Sequence, residues 1–349
     1  MKLWRMVAGV LGFAAVAVGV TPAWACACGG YLADAESRAR VFGENALVRF
    51  DGGREEIVLS MNVHGSSKKA AWIMPVPAAA EVSLGEPYTF ERLASLTAPK
   101  VVVRKTYWPF RDLGIMAGGR DGSVGAAPGA GAGVDVRQQM TLGPFQVVRL
   151  GGTSATAVTN WLKVNGYAVP ATLATNLTPY ITEKWEIVAV KLAPKEVTGS
   201  LSGVTPPLQL SFASSRIVYP MRLSKGATME QTVTVYVASS HRVDASQLPD
   251  PSVQPKLLYA GQLTDEPELT GSQHYLTAYS VTYANPSRIT NDFAFTQAPN
   301  DAEFQRVTYR TENHPWLSTI GILLGIPLLI GVGAALIARR SVRRSARRT

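Results

Sequence analysis

Residues 317–338 run for 22 positions without a charged side chain, and Arg339, Arg340, Arg343, Arg344, Arg347 and Arg348 follow them. A helix of that length rises about 33 Å, enough to cross a hydrocarbon core of about 30 Å. The stretch reads as a transmembrane helix and takes itself out of any soluble core. Arginines crowded at one end orient that end, the basic tail of residues 339–349, to the cytoplasm; Trp316 is placed as an aromatic anchor at the other interface. Pro327 interrupts the span, which a membrane helix tolerates where the freed carbonyl is re-satisfied locally. Gly321 and Gly325, then Gly331 and Ala335, have the spacing that lets two helices approach closely. The bilayer is thus one expected partner and a helix-mediated dimer a second.

The charge distribution agrees with that assignment. Of the formal net charge of +9, Lys2 and Arg5 supply two and the tail arginines six, which leaves +1 on everything between. A nearly neutral body has no electrostatic case for nucleic acid, whose binding depends on neutralising phosphates. At the other end, a basic start is followed by an apolar run over residues 6–20, then Thr21-Pro22 and the small-x-small triplet Ala23-Trp24-Ala25. Residues 1–25 have the pattern of a cleaved signal peptide, and the apolar run is too short to span a bilayer. A single-pass type I protein with an extracellular ectodomain follows, beginning at Cys26.

Within residues 26–316 the dominant period is two. Ile57, Leu59, Met61 and Val63 alternate with more polar neighbours, as in a half-buried strand, and Asp51-Gly52-Gly53 joins them to the apolar run 46–50 as a hairpin. Further strands are predicted over 71–75, 101–108, 145–150, 187–192, 208–212, 232–238 and 275–283, a spacing suited to antiparallel, sandwich-like sheets. Ala157, Val158, Trp161, Leu162 and Val164 instead follow a helical stripe, capped by Thr153 or Ser154 and closed by Asn165-Gly166. Pro170 opens a second helix with Leu173, Leu177 and Ile181, which Pro179 shortens or bends. The fold class is therefore α+β, mainly antiparallel β with a short helical insertion, plus the C-terminal helix. A boundary near Gly151 divides a β-rich lobe (26–150) from the helical insertion and a second β-rich lobe (151–316); one larger sandwich is the alternative. The Gly- and Ala-rich residues 118–133 form a surface loop, without the glycine offset of a dinucleotide fingerprint.

Cys26-Ala-Cys28-Gly-Gly, Ala71-Trp-Ile-Met-Pro-Val-Pro77, Trp161-Leu-x-x-Asn165-Gly-Tyr-x-x-Pro170, Trp185-Glu-Ile-Val-Ala-Val-Lys-Leu192 and Arg216-Ile-Val-Tyr-Pro-Met-Arg-Leu223 together resemble the bacterial family called domain of unknown function 2330. The resemblance implies exported bacterial proteins, many tethered by a C-terminal helix, and brings no catalytic residues with it. Read physically, its motifs are packing and turn devices: Trp72, Ile73 and Met74 make a buried strand stopped by Pro75 and Pro77, and Tyr219-Pro220 marks a strand end.

Catalytic signatures are sparse. His64, His241, His274 and His314 have no metal-binding spacing, and no nucleophile elbow or phosphate loop occurs. Glu55, Glu56, Asp265, Glu266 and Glu268 cluster in turn-like surroundings. Cys26 and Cys28 are the candidate site: in an oxidising compartment they close a small strained ring, chelate a soft metal such as copper, or bond another chain. No other cofactor is expected. The reading is a membrane-anchored surface protein with a non-catalytic binding or structural ectodomain, engaging an extracellular protein or ligand. Its alternatives are redox or copper handling at Cys26 and Cys28, and a hydrolase with dispersed residues around His64 or His274.

Overall fold

The structure is a computed structural model that describes residues 29–33, 40–64, 70–106, 136–142, 145–150, 154–192, 203–263 and 265–345. The signal segment, Cys26, Cys28, the 118–133 loop, positions 107–108 and the last two tail arginines lie outside the described residues.

Two large sheets dominate. The nine-stranded sheet has the order Phe304–Gln305, Lys256–Gln262, Tyr275–Tyr283, Gln231–Ser239, Arg40–Phe50, Arg54–His64, Leu208–Ala213 and Glu81–Leu84, with Gly203–Val204 also paired to Arg54–His64. The five-stranded sheet has the order Gly30–Ala33, Ala70–Val76, Glu186–Leu192, Phe145–Leu150 and Val136–Leu142. Strands from before and after residue 150 share both sheets. Pairing is antiparallel throughout the five-stranded sheet; in the larger one Gln231–Ser239 runs parallel to Arg40–Phe50.

Alternation decides which face packs where. Ala46, Val48, Ile57, Leu59, Val233 and Val235 face Trp72, Met74, Val147, Val188 and Val190 across the inter-sheet core. On the far side of the five-stranded sheet, Ile73, Val148, Ile187 and Ala189 pack against Val158, Trp161, Leu162, Leu173 and Leu177 of the helices Ala155–Val164 and Leu173–Thr182. On the far side of the nine-stranded sheet, Leu47, Val58, Tyr236 and Leu276 meet Leu93 of helix Thr89–Leu96 and Leu269 of the short helix Pro267–Thr270. The layers are helices, sheet, sheet, helices. A three-stranded sheet, Ile217–Tyr219, Phe293–Gln297 and Val243–Gln247, contributes Tyr219, Phe293 and Phe295 to the same inter-sheet core.

The predicted punctuation is visible locally. Gly52 takes φ 94°, and Asp51 Oδ1 accepts the N–H groups of Gly53 and Arg54 at 3.0 and 2.7 Å, which closes the hairpin. Helix Ala155–Val164 ends with Tyr167 N–H donating to Leu162 O and Gly166 N–H to Lys163 O, with Gly166 at φ 75°. Helix Leu173–Thr182 ends the same way through Lys184, at φ 63°, and Trp185; Pro179 lies inside it without ending it. Pro75 does not stop its strand either, because Pro75 pairs with Ile187 and Val76 with Glu186. The neighbour Gly30–Ala33 reaches only to Ile73, so no ladder on that side needs the missing N–H of Pro75.

Strand Lys100–Thr106 joins neither large sheet. It pairs in parallel with Val307–Asn313, from Val307 opposite Lys100 to Asn313 opposite Thr106, and Val101, Val103, Val307 and Tyr309 are exposed. Helix Pro315–Ser345 follows directly.

The edge strand Gly30–Ala33 depends on close backbone approach, because a Cβ on Gly29 would lie 2.2 Å from the Ile73 carbonyl oxygen. Backbone cannot yield as a flexible side chain does. Gly29→Ala is therefore expected to lower stability by about 1–3 kcal/mol, measured by denaturant unfolding, whereas Gly53→Ala, which meets nothing within 4 Å, serves as the near-neutral control.

Candidate functional site

The densest polar cluster surrounds the segment that contains strand Ile217–Tyr219 and the 3-10 turn Arg222–Gly226. Four acidic side chains hold it. The buried Glu55 accepts the Val218 N–H at 3.0 Å, and the buried Glu44 accepts the Tyr219 hydroxyl. Asp292, 2% exposed, accepts through Oδ1 from Met221 N–H at 2.8 Å, Arg222 N–H at 3.2 Å and the Tyr180 hydroxyl. Its Oδ2 meets the Arg222 guanidinium at 2.7 Å. Glu183 takes the same guanidinium in a forked pair, 2.8 Å on one arm, while Arg222 lies 4.1 Å from the centre of the Tyr180 ring.

The strands place these acids. Glu44 shares its face with Ala46 and Val48, and Glu55 with Ile57 and Leu59, so each occupies a core slot. Burial is the largest influence on Glu55 and pushes its pKa well above 4.5, against the pull of the Val218 N–H, Ser214 and Arg216. Burial also raises the Tyr180 hydroxyl, with Asp292 adding to it. At Arg222 burial works against the charge, yet Glu183, Asp292 and Tyr180 outweigh it and raise the pKa. Arg222 in turn lowers Glu183. These groups bond backbone and one another, which fixes the segment.

A family profile described as "Uncharacterized protein conserved in bacteria (DUF2330)" matches residues 22–296, which include this entire cluster. The chain belongs to that family. None of the curated proteins matches it. Among solved structures, the crystal structure of baculovirus P35 is similar at 9% identity and a TM-score of 0.34, over 77% of this chain and 97% of that one. The crystal structure of the caspase-8/P35 complex is similar at 11% identity and a TM-score of 0.33, over 76% and 97% respectively. The DUF2330 match ends at residue 296, before helix Pro315–Ser345.

The residues singled out by sequence are dispersed. Trp316, Arg339, Arg340, Arg343 and Arg344 all lie on helix Pro315–Ser345, with Trp316 exposed near its start. Cys26 and Cys28 lie outside the described residues. His241 Nδ1 is 2.8 Å from Asp301 on the surface, but the nearby Ser239 hydroxyl donates to the His241 carbonyl and not to its ring. Among the described residues no group of three His, Cys, Asp or Glu side chains could hold a metal. The acidic cluster of the sequence separates in the structure: Glu55 points into the core, Glu56 pairs with Arg49 at 3.0 Å, and Glu266 and Glu268 pair with Arg92 of the neighbouring helix. Clefts also open on the surface of the described residues. One of about 110 Å³ is lined by Arg49, Asp51, Arg54 and Gln273, and its Arg49 is occupied by Glu56, Leu269 O and Glu268 O. Another, open and about 560 Å³, presents Thr234, Ser280, Thr282, Lys256 and Arg306. Hydroxyls beside two cations suit a polar or anionic chain better than an apolar ligand.

Sequence reasoning passed over Glu44, Asp292, Tyr180 and Arg222. Glu44 and Glu55 carry a usable signal, an acid in phase with a core-facing strand pattern; the partners of Asp292 are distant in the chain and leave none.

Because the folded pKa of Glu55 is raised, the folded chain keeps a proton that the unfolded chain loses above about pH 4.5. Stability from this residue is full below that pH and declines as pH rises towards the folded value. Glu55→Gln, which retains an acceptor for Val218 N–H and cannot ionise, should match the parent near pH 4 and unfold at a higher temperature than the parent at pH 8.

Proposed function

We propose that this protein is a single-pass, membrane-anchored bacterial surface protein whose β-rich ectodomain is a non-catalytic binding or structural module. The observation that carries the reading is the helix segment Thr319–Ser341, 23 residues long with none of its apolar window buried against protein. Leu323, Leu324, Leu328, Leu329, Ile330 and Ile337 are each at least 65% exposed. Removing one such side chain from water gains about 1.5–3 kcal/mol, so six gain about 10 kcal/mol or more. That rivals the net stability of a domain, and a bilayer is the environment that supplies it. The arginines at its C-terminal end favour a cytoplasmic tail, which puts the body outside.

The non-catalytic part rests on the use made of the polar groups. The buried acids each bind a donor within the fold, and the Ser239 hydroxyl beside the surface His241–Asp301 pair donates to the His241 carbonyl, not to its ring. The open cleft beside Lys256 and Arg306 is the surface best suited to engage a polar partner.

The location is tested on the full chain carrying a C-terminal tag in bacterial cells. The protein should stay with membranes after alkaline carbonate extraction, and protease added to spheroplasts should remove the body and leave a small tagged fragment. Extraction into the carbonate supernatant, or digestion of the tag while the body survives, would overturn the reading.

A further inference from the structure

The parallel ribbon of Lys100–Thr106 and Val307–Asn313 is tied directly to the apolar helix: the His314 N–H donates to Thr106 O at 2.8 Å, and Pro315 opens the helix. We infer that the membrane-proximal end of this ribbon is a docking surface for anionic phospholipid headgroups of the leaflet the helix enters, with Arg104, Lys105 and Arg310 as its cations. The inference rests on the membrane reading above.

Distance supports it. The apolar span begins at Thr319, four residues beyond Pro315, so helix 315–319 covers about 6 Å, the depth of a headgroup layer on one side of the bilayer. Asn313 and its partner Thr106 then stand at the outer edge of that layer. Lys105 and Arg104 are one and two residues back along one strand and Arg310 three back along the other, about 3–10 Å at strand rise. That lies within about one screening length at physiological salt, and their long side chains shorten it further. Lys100, six residues from Thr106, stands about 20 Å away and out of range.

Charge separates this occupant from a second copy of the chain. Register puts Lys105 and Arg310 on one face and Arg104, stacked 3.6 Å from the Tyr309 ring centre, on the other. Only Glu312, 3.7 Å from Arg310, opposes them in that end of the ribbon. Face-to-face pairing of two ribbons would therefore set net positive charge against net positive charge on either face, whereas headgroup phosphates surround the tip with the opposite sign. A two-stranded ribbon exposed on both faces is also marginal alone in water, so a contact that holds its tip matters to its order.

The experiment uses the full chain in nanodiscs of phosphatidylcholine alone or with one-third phosphatidylglycerol, read by hydrogen exchange. Peptides covering 100–106 and 307–313 should exchange about tenfold or more slowly in the anionic discs, given about fivefold per cation near an anionic surface. High salt and the triple variant Arg104→Gln, Lys105→Gln, Arg310→Gln should abolish the difference, and Lys100→Gln should keep it. Equal exchange in both discs, protection that follows the number of protein copies per disc, or an equal loss with Lys100→Gln would overturn the inference. Protected amides over 319–341 with an indifferent ribbon would sink this inference alone; unprotected amides there would sink the membrane reading and this one together.

Discussion

A carboxylate removed almost wholly from water must regain its lost hydration from the protein, and Asp292 does so by gathering three parts of the fold around two oxygens. Its acceptors are filled by the 3-10 turn at Met221 and Arg222, by Tyr180 of the helix layer, and by the Arg222 guanidinium. Its own backbone opens strand Phe293–Gln297 of the small sheet. Removing one partner from such a buried pair costs about 3–5 kcal/mol, a large fraction of the net stability of a domain. The helix pair, the small sheet and the segment between them are therefore held as one unit. Glu44 and Glu55 extend the same device into the inter-sheet core, where the strand Ile217–Tyr219 meets inward-facing acids as well as aliphatic neighbours.

This arrangement separates structure from surface function. Glu55 and Asp292 bond backbone N–H groups of the segment 218–222, Glu44 and Glu183 bond its side chains, and burial holds Glu55 towards its neutral form. Among the groups that face solvent are a cleft of hydroxyls with Lys256 and Arg306 and a cation-bearing ribbon leading to the apolar helix. The ribbon forms a charged stem that leads from the body into helix Pro315–Ser345. The stem borders the cleft, since Arg306 precedes Val307 and its carbonyl accepts the Lys100 N–H at 2.7 Å.

Much of the fold is legible in the sequence because it is locally encoded. Period-two patterns locate Arg54–His64, Phe145–Leu150 and Tyr275–Tyr283; Asp51-Gly52 gives the hairpin, and Asn165-Gly166 the helix end. What escapes is non-local. The parallel pairing of Gln231–Ser239 with Arg40–Phe50 joins segments nearly 200 residues apart, and no spacing announces it. Lys100–Thr106 has strand-forming valines, yet its cations and its partner Val307–Asn313 keep it outside the sandwich. Pro75 shows that a local stop signal yields when the adjacent strand is short. The buried acids were partly readable, Glu44 and Glu55 from phase with their strands, Asp292 not at all, because its partners at 180 and 221–222 meet it only in three dimensions.

Side-chain carboxyl groups of Glu44, Glu55 and Asp292 lock the segment 217–223 into the fold in addition to the short ladder of Ile217–Tyr219 with Phe293–Gln297. Native-state hydrogen exchange of the Val218, Met221 and Arg222 amides tests this directly, since each donates to a buried carboxyl group. The account predicts that all three exchange only with global unfolding, at the same free energy as the central strand amides of Val235 and Val237. Exchange of Met221 and Arg222 through a local opening several kcal/mol cheaper, with the two sheets still protected, would contradict it.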